Sequence, residues 1–276
     1  MAFGRKVNLS IGSQGRGLLI SDLDIDFRVT RSTTFSENTA EFTIYNAKEQ
    51  TRKEILRKGN NVLFSAGYRD EVVGNIFIGN ITESVSYRSG TEWITKIEAV
   101  SARSETQPLT AVNVSLSYAS NTQMKQVVRD LSVYTGLPIF GLANINFTLI
   151  NGWVFVGSVR SAFDYVREIL EDNGLGIYFD NSQIVIYRLG IQDSRFGVTF
   201  LTYNNGLLSV QEKTETGEDK KKISFKSLLI SSIQPNGLVT IRTDKIAGTF
   251  FVEKVTHSGK NYGGGSDFTT EGEASE

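Results

Sequence analysis

The sequence predicts a mainly β fold with an α/β insertion in its middle. Short stretches of alternating polarity, separated by turn residues, fill the first and last thirds of the 276 residues. Helical periodicity, with apolar residues three or four positions apart, dominates only a central stretch. We therefore expect three parts: a β domain over 1–105, an α/β subdomain over 106–190, and a second β domain over 191–276 with a flexible C-terminal tail.

Two strands and a short helix organise the first β domain. Every second side chain of each strand is apolar, which gives one buried face and one wet face. The apolar series are Leu23, Ile25, Phe27 and Val29, then Ala40, Phe42 and Ile44. Asn46 with Glu49 resembles a capping box and predicts a helix over 47–58 that Gly59 closes. Further strands, indicating a small barrel or sandwich, are predicted over 62–68, 72–78, 81–87 and 92–102.

Two amphipathic helices define the middle part. The first starts after Ser120 or Asn121 as N-cap and ends at Gly136, and the second starts at Ser158 and ends at Gly174. Their apolar faces are Met124, Val127, Val128, Leu131 and Tyr134, then Val159, Ala162, Phe163, Val166, Ile169 and Leu170. A hairpin with strands over 175–179 and 183–187 follows, so this part is a compact α/β subdomain.

The last third returns to strands. Strands over 198–203 and 207–213 are predicted to pair, and three more are predicted over 223–230, 238–243 and 249–255. Lys220, Lys221 and Lys222 sit beside Glu215, Glu218 and Asp219, which indicates a solvated loop rather than a nucleic-acid patch. The tail from Tyr262 through 263–266 to Glu276 is expected to be flexible, with 267–271 as a candidate edge strand within it.

Composition excludes several classes of function. Lys and Arg number 29 against 30 Asp and Glu, so no global basic field attracts nucleic acid or an anionic membrane. The chain has no cysteine, which excludes disulfides and thiolate sites. It has neither a signal-peptide run at its start nor an apolar run long enough to span a bilayer. We expect a soluble protein made in the cytoplasm, with no membrane insertion.

Residues that could carry chemistry are sparse. His257 is the only histidine, and its strand-end context favours a structural or interface role over general base catalysis. The glycines over 12–17 lack the spacing of a phosphate-binding loop and indicate a hairpin. Asp22, Asp24 and Asp26 share one strand face but lie too far apart to hold one cation, so a solvated or interface face is expected. No carboxylate pair stands out. We therefore assign no catalytic, cofactor-binding or metal-binding residue.

The chain resembles a family in its C-terminal third. The segments 227–229 (Ser-Leu-Leu), 233–241 (Ile-Gln-Pro-Asn-Gly-Leu-Val-Thr-Ile) and 248–259 are similar to the closing β region of bacteriophage tail baseplate hub proteins. That group includes the late control protein D type, and the N-terminal part of type VI secretion spike proteins is related to it. The segments 27–29 and 38–46, the helix containing Thr51 and Arg52, and the middle segment 158–174 resemble the same proteins in the same order.

The resemblance implies a structural role in the virion. Hub proteins carry two tail-tube-like β-barrel domains flanking an α/β piece, and a homotrimer forms a pseudo-sixfold ring. Such a ring adapts the hexameric tail tube or distal tail protein to the trimeric spike or tail-tip protein and contacts other baseplate proteins. Its lumen passes tape-measure protein and DNA without binding either, so a polar lining without a basic stripe is expected. This implies assembly in the host bacterial cytoplasm, final location in the phage tail baseplate, and no room for a fused lysozyme or peptidase.

Two other hypotheses remain open. A receptor- or carbohydrate-binding module of the tail tip requires an exposed aromatic platform, for which Tyr45, Tyr68 and Tyr87 are the candidates. A cell-wall hydrolase requires a carboxylate whose substitution abolishes peptidoglycan turnover. Under the hub hypothesis, the segments expected to be ordered by partners are Phe3, Arg5 and Lys6, and the loop 263–266.

Overall fold

A computed structural model of the protein describes residues 4–13, 16–34, 36–56, 60–101, 111–192, 195–213, 221–263 and 267–276. The chain divides into two compact units. Unit 1 comprises Met1–Thr34, Asn38–Val100 and Gln192–Glu276, and unit 2 comprises Phe35–Glu37 and Ser101–Ile191. The fold is mainly β, as predicted.

The secondary-structure elements follow in chain order. The first part of unit 1 contains β1 Arg5–Ser13, β2 Arg16–Ile20, β3 Ile25–Ser32, β4 Thr39–Tyr45, helix α1 Glu49–Ile55, β5 Asn61–Tyr68, β6 Gly74–Ser89 and β7 Glu92–Val100. Unit 2 contains β8 Asn113–Tyr118, α2 Met124–Thr135, β9 Ile139–Phe140, a 3₁₀ turn Leu142–Asn144, β10 Trp153–Ser158, α3 Val159–Asp172, β11 Leu175–Asp180 and β12 Gln183–Arg188. The chain then re-enters unit 1 with β13 Val198–Leu201, a 3₁₀ turn Tyr203–Asn205, β14 Leu207–Lys213, β15 Lys222–Leu228, β16 Leu238–Arg242, β17 Ala247–Lys260 and β18 Thr269–Ser275.

One continuous sheet of thirteen strands organises unit 1. Its order is β14-β15-β18-β17-β3-β4-β7-β6-β5-β1-β2, and β16 pairs with both β17 and β13. The predicted alternation in β3 and β4 is confirmed, because Ile25, Phe27 and Val29 and their partners Ala40, Phe42 and Ile44 are buried. Two hydrophobic clusters form, one from residues of the first part of the chain with Leu229 and Phe268, the other entirely from residues beyond position 200.

Unit 1 contains an internal repeat. The five strands β3 to β7 pair in the spatial order β3-β4-β7-β6-β5, and the five strands β14 to β18 pair in the order β14-β15-β18-β17-β16. Both sets therefore follow the same path through the sheet, strand for strand along the chain. The two repeats join where β17 pairs with β3 in antiparallel fashion, which makes a single eight-stranded series from β14 to β6.

The repeat extends to individual residues. The pairing register shifts between Ile81 and Glu83 in the first repeat and between Val252 and Lys254 in the second. Superposing these two shifts makes Phe42 equivalent to Phe225 through the strand registers. The same superposition matches two hydrogen bonds: Ser86 Oγ lies 3.1 Å from Thr95 Oγ1, and His257 Nδ1 lies 2.9 Å from Thr270 Oγ1. The first and second repeats thus share strand order, bulge position and one side-chain hydrogen bond.

Unit 2 packs its two helices around a separate hydrophobic cluster. Ser158 caps α3 as predicted, because its Oγ accepts a hydrogen bond from the Ser161 N–H at 3.1 Å. Gly136 ends α2 with a positive φ of 68°. The predicted hairpin is also confirmed: β11 pairs with β12, and Asn181 and Ser182 both take positive φ in the two-residue turn.

Three helix predictions were wrong in detail. Helix α1 begins at Glu49 with no side-chain cap, because Asn46 Oδ1 accepts a hydrogen bond from the Trp93 N–H at 3.1 Å instead. Gly59 lies outside the described residues. The N-cap of α2 is Gln123 rather than Ser120 or Asn121. Within α2, Thr135 is buried and Tyr134 is exposed, because position 135 is eleven residues, or about three turns, after Met124.

Several strand predictions need correction. The strands expected over 72–78 and 81–87 are one strand, β6, because the bulge at Thr82 lets the chain continue without a turn. The strands expected over 198–203 and 207–213 do not pair with each other: β13 runs parallel to β16, and β14 pairs with β15. The polar connection was predicted over 214–222, but Lys222 already belongs to β15, and residues 214–220 lie outside the described residues. Residues 264–266 also lie outside them.

The C-terminal tail was predicted to be flexible with an edge strand, and both predictions were wrong for Thr269–Ser275, which form β18. β18 lies between β15 and β17 and pairs with both along its whole length. A Cβ on Gly272 would lie 2.3 Å from the Phe225 ring, so only glycine leaves room for this ring from the neighbouring strand β15. Because β18 contributes small residues instead of large apolar ones, its sequence carries no strong strand signal.

Candidate assembly surface

A polar face runs across the eight-stranded series from β14 to β6. Along β3 and β17 it presents Arg28 and Thr30 beside Ser258 and Thr256. The neighbouring strands continue the same rows through paired residues: Lys226, Glu271 and Thr256 on one side, and Arg28, Glu41 and Glu98 on the other. Since side chains alternate along each strand, the opposite face carries the apolar core. We call this surface the polar face.

Acidic and basic side chains alternate over much of the polar face. Lys226 Nζ lies 2.8 Å from Glu271 Oε1, and Lys213 Nζ lies 3.0 Å from Glu273 Oε1. A third pair joins Lys260 Nζ and Asp26 Oδ2 at 3.6 Å. Pairs this exposed contribute little stability. Each pair places a negative charge beside a positive one. In the described part of the chain, these pairs therefore leave no continuous basic stripe across the polar face.

Three adjacent side chains in one row of the polar face are acidic, and Arg28 continues that row on β3. Glu41, Glu98 and Glu83 lie directly opposite one another on β4, β7 and β6. Side chains paired across strands are about 5 Å apart at Cβ, so these carboxylates repel each other. The matching row of the second repeat has Ser224, Glu273 and Lys254, which compensates the charge. The first repeat therefore places Glu83 beside Glu98, whereas the second places Lys254 beside Glu273.

The eight-stranded series ends in two edges that no described strand covers. β14 pairs on one side only, with β15. β6 pairs with β5 as far as Asn80, and beyond its bulge the segment 83–89 pairs only with β7. Both edges expose large apolar side chains, namely Val85 and Tyr87 on β6 and Leu208 on β14. Unpaired strand edges with apolar side chains recruit further strands.

The covered junction between the repeats shows what such an edge does when it is paired. Residues 254–260 of β17 pair with residues 32–26 of β3. The core side of this junction is buried, since Val29, Val255 and His257 are all buried, as is Arg31 opposite Val255. On the polar side, the hydroxyls of Thr30 and Thr256 lie 3.3 Å apart.

His257 is a structural residue of this junction. Its ring is fully buried, and Nδ1 shares a hydrogen bond with the hydroxyl of Thr270. Burial lowers the pKa of His257 to about 3, and the nearby positive charge of Arg31 acts in the same direction, whereas the backbone of Ile233 acts in the opposite one. The ring is therefore neutral at physiological pH and shielded from solvent. The structural role expected for His257 agrees with this environment.

The three aspartates of the first strand region do not converge. Asp22 accepts a hydrogen bond from the hydroxyl of Ser21, whereas Asp26 accepts one from the hydroxyl of Tyr45 at 3.1 Å. Burial raises the pKa of Tyr262, and the nearby Asp26 carboxylate acts in the same direction. Among the described residues, no group of three histidine, aspartate or glutamate side chains is placed to hold a metal ion.

The N-terminal residues and the tyrosines singled out from the sequence do not form a common site. Arg5 is held by its own chain, because its guanidinium lies 2.8 Å from Asp267 and donates to the Lys260 carbonyl at 2.9 Å. The expectation that Arg5 requires a partner for order was therefore wrong, and Phe3 lies outside the described residues. Tyr68 is buried, so it cannot share an exposed platform with Tyr87, which is 39% exposed.

Sequence reasoning missed the free edges and the repeat behind them. One signal was present: Thr95, Glu98 and Ala99 in β7 recur with the same spacing as Thr270, Glu273 and Ala274 in β18.

No helix in the described ranges combines the length and the apolar character needed to cross a membrane.

Comparison with known proteins identifies the fold. The sequence matches no family model and no curated protein. Among solved structures, a tail protein from Neisseria meningitidis is similar at a TM-score of 0.69 and 9% identity, over 99% of this chain and 97% of that one. This chain has the tail-protein fold. The 43 kDa tail protein of prophage MuSo2 from Shewanella oneidensis is similar at a TM-score of 0.70 and 8% identity, over 98% and 96%.

The tail-protein fold extends to secretion machinery. A component of the type VI secretion system of E. coli, itself described as structurally similar to bacteriophage tail proteins, matches at a TM-score of 0.66 and 11% identity. The match covers 96% of this chain and 76% of that one. The tail-protein fold predicted from the sequence is therefore confirmed by structures of nearly the same extent.

Proposed function

We propose that this chain is a structural baseplate hub of a phage tail. Three copies form a pseudo-sixfold ring that adapts the hexameric tail tube to a trimeric spike or tip. The observation that carries the proposal is the internal repeat, in which β3 to β7 and β14 to β18 follow one path and join into a single sheet. Three copies of a chain with two equivalent repeats place six repeats in the ring, which matches a sixfold partner. The same ring has only three chains, so it also matches a threefold partner.

The polar face is the proposed channel lining. Its interspersed charges and threonines offer no continuous basic stripe among the described strands, which supports passage of DNA without retention. The acidic row of Glu41, Glu98 and Glu83 adds local repulsion toward phosphate. Tape-measure protein and DNA are proposed to pass along this face, while other baseplate proteins contact the outside of the ring.

The proposed role is not enzymatic. The only histidine is buried and neutral, so it cannot take a proton from a substrate in solvent. The recess on the polar face between Arg28, Lys254 and Glu273 is lined by charged and small polar side chains together with the buried Phe225. This lining lacks the exposed aromatic rings that a carbohydrate site uses, and neither alternative hypothesis gains a specific observation.

The location follows from the role. We propose that the chain is assembled in the host cytoplasm and ends in the virion, at the junction between tail tube and spike. The similarity to a type VI secretion component that is itself described as similar to bacteriophage tail proteins supports a place in a tail.

The native mass of the purified chain tests this function. Light scattering after gel filtration, over a wide range of concentrations, is expected to give three times the chain mass of 30.5 kDa. Electron microscopy of the same fraction should show rings with six similar lobes around a central channel. A chain that stays monomeric at the highest concentration, with no ring in the images, contradicts the proposal.

A further inference from the structure

We propose that the ring closes by strand pairing between β6 of one copy and β14 of the next. Residues 85–89 of β6 lie antiparallel to residues 213–209 of β14, with Tyr87 opposite Gln211. This inference rests on the proposed hub function and gives it a specific interface. The partner is a second copy of this chain, and the contact is head-to-tail because the two edges differ.

The internal repeat defines the pairing. Strand β3 of the first repeat pairs with β17. The counterpart of β3 in the second repeat is β14. The counterpart of β17 is β6, the other long strand with a bulge in its middle. The covered junction between β17 and β3 therefore has an uncovered equivalent, between β6 and β14, which one chain cannot close by itself.

The register follows from the bulges. Superposing the shift after Ile81 on the shift after Val252 makes Tyr87 equivalent to Ser258. The strand registers then make Gln211 equivalent to Arg28 through its pairing partners. Since Ser258 lies opposite Arg28 in the covered junction, Tyr87 lies opposite Gln211 in the uncovered one.

The hydrogen-bond pattern of the covered junction also transfers. The Thr33 N–H donates to the Glu253 carbonyl at 2.8 Å, so Thr33 and Glu253 form a hydrogen-bonded pair. Alternation along an antiparallel ladder then makes Ser258 and Arg28 a non-hydrogen-bonded pair, with Cα atoms about 4.5 Å apart. Tyr87 and Gln211 inherit that close spacing. The backbone groups of Ser86 and Arg88 face outward, toward the neighbouring copy.

The side chains at the two edges suit this pairing. Val85 and Tyr87 are exposed on an otherwise polar surface, and the neighbouring strand would cover them. On the core side, the positions of His257 and Val29 are taken by Ser86 and Glu212. The junction between copies is thus the polar version of the junction within the chain, so it forms reversibly and depends on concentration.

Engineered disulfides test the register, because the chain has no cysteine of its own. The double variant Tyr87→Cys with Gln211→Cys places two thiols at a spacing that a disulfide can bridge. The matched control is Tyr87→Cys with Glu212→Cys, whose second thiol points to the opposite face of the strand. Both variants are oxidised in a glutathione buffer and run on non-reducing gels, with native mass measured in parallel.

We expect the first variant to give covalent dimers and trimers at least tenfold more abundant than those of the control. Equal cross-linking of both variants overturns the register. A native trimer without cross-links shows that the ring closes through other surfaces, which overturns the strand pairing and leaves the proposed function standing. A monomer without cross-links at every concentration counts against both.

Discussion

Replacing His257 with glutamine removes a buried group of unit 1 whose pKa is lowered by burial. The folded protein holds the pKa of His257 at about 3, whereas an unfolded histidine titrates near 6.5. The unfolded state therefore binds a proton between these two pH values and the folded state does not. Stability from this residue is fully present above pH 6.5 and is lost as the pH falls toward 3.

The magnitude follows from the two pKa values. Each pH unit below about 6 costs about 1.4 kcal/mol of unfolding free energy. Between pH 7 and pH 5 the wild-type protein should lose about 2 kcal/mol through His257 alone, because only the unfolded state takes up the proton. His257→Gln should be less stable at pH 7, since the hydrogen bond to Thr270 changes, but it should lack this loss.

The assay is urea denaturation followed by the fluorescence of Trp93, in a Trp153→Phe background. This background separates unit 1 from unit 2, which contains Trp153, so that the transition reports one unit. The difference in unfolding free energy between wild type and His257→Gln is measured at half-unit steps from pH 7.5 to pH 5. Carboxylates that titrate at the acidic end affect both proteins and cancel in the difference.

Thr270→Val provides the control. It removes the hydroxyl that shares a hydrogen bond with His257 and accepts one from the Ile230 N–H, so it lowers stability by about 1–3 kcal/mol but leaves a buried histidine. Its pH slope should match that of wild type. If His257→Gln keeps the wild-type slope, His257 is protonated in the folded protein and our account of the covered junction is wrong.

Three further predictions concern other parts of the chain. Arg88→Pro removes a backbone N–H that faces outward from β6. Light scattering should therefore show loss of the trimer, while the thermal midpoint of unit 1 stays nearly unchanged. Arg88→Ala should keep the trimer, and a trimeric proline variant contradicts the pairing. Glu83→Lys gives Glu98 an opposite charge, as Lys254 does for Glu273, and should stabilise unit 1 by about 0.5 kcal/mol at low salt, a gain that 1 M salt should abolish in thermal denaturation. Ser158→Ala should cost unit 2 about 1 kcal/mol in urea denaturation, whereas Ser158→Asp should cost little; equal losses would show that the cap is not the cause.

Local patterns predicted most of the elements but few of the pairings. The alternation around Phe27 and Phe42 identified two strands, and the periodicity of α3 identified its buried face, because both patterns follow directly from backbone geometry. Partner choice is different, since it depends on distant residues. β14 and β13 are neighbours in sequence, yet each pairs with a strand that lies further along the chain.

The assembly surface was the least predictable part, for a physical reason. Only a few side chains are common to β7 and β18, because core positions tolerate any apolar group of suitable volume. Gly272 matches Ile97 in the repeat, and its missing side chain makes room for Phe225. A repeat preserved by strand path rather than by residue identity is visible only when the register is known.

The difference between the two junctions has a consequence for the order of assembly. Within the chain, β17 and β3 pair over a buried core that contains His257 and Val29, so this junction forms as the chain folds. In the proposed pairing between copies, Ser86 and Glu212 occupy those positions, so little apolar surface drives the first encounter. The third copy makes two junctions at once, which gives the closed ring an advantage over an open dimer. Under the proposed hub function, such a chain is expected to be a monomer while it is scarce and to close into a ring as its concentration rises.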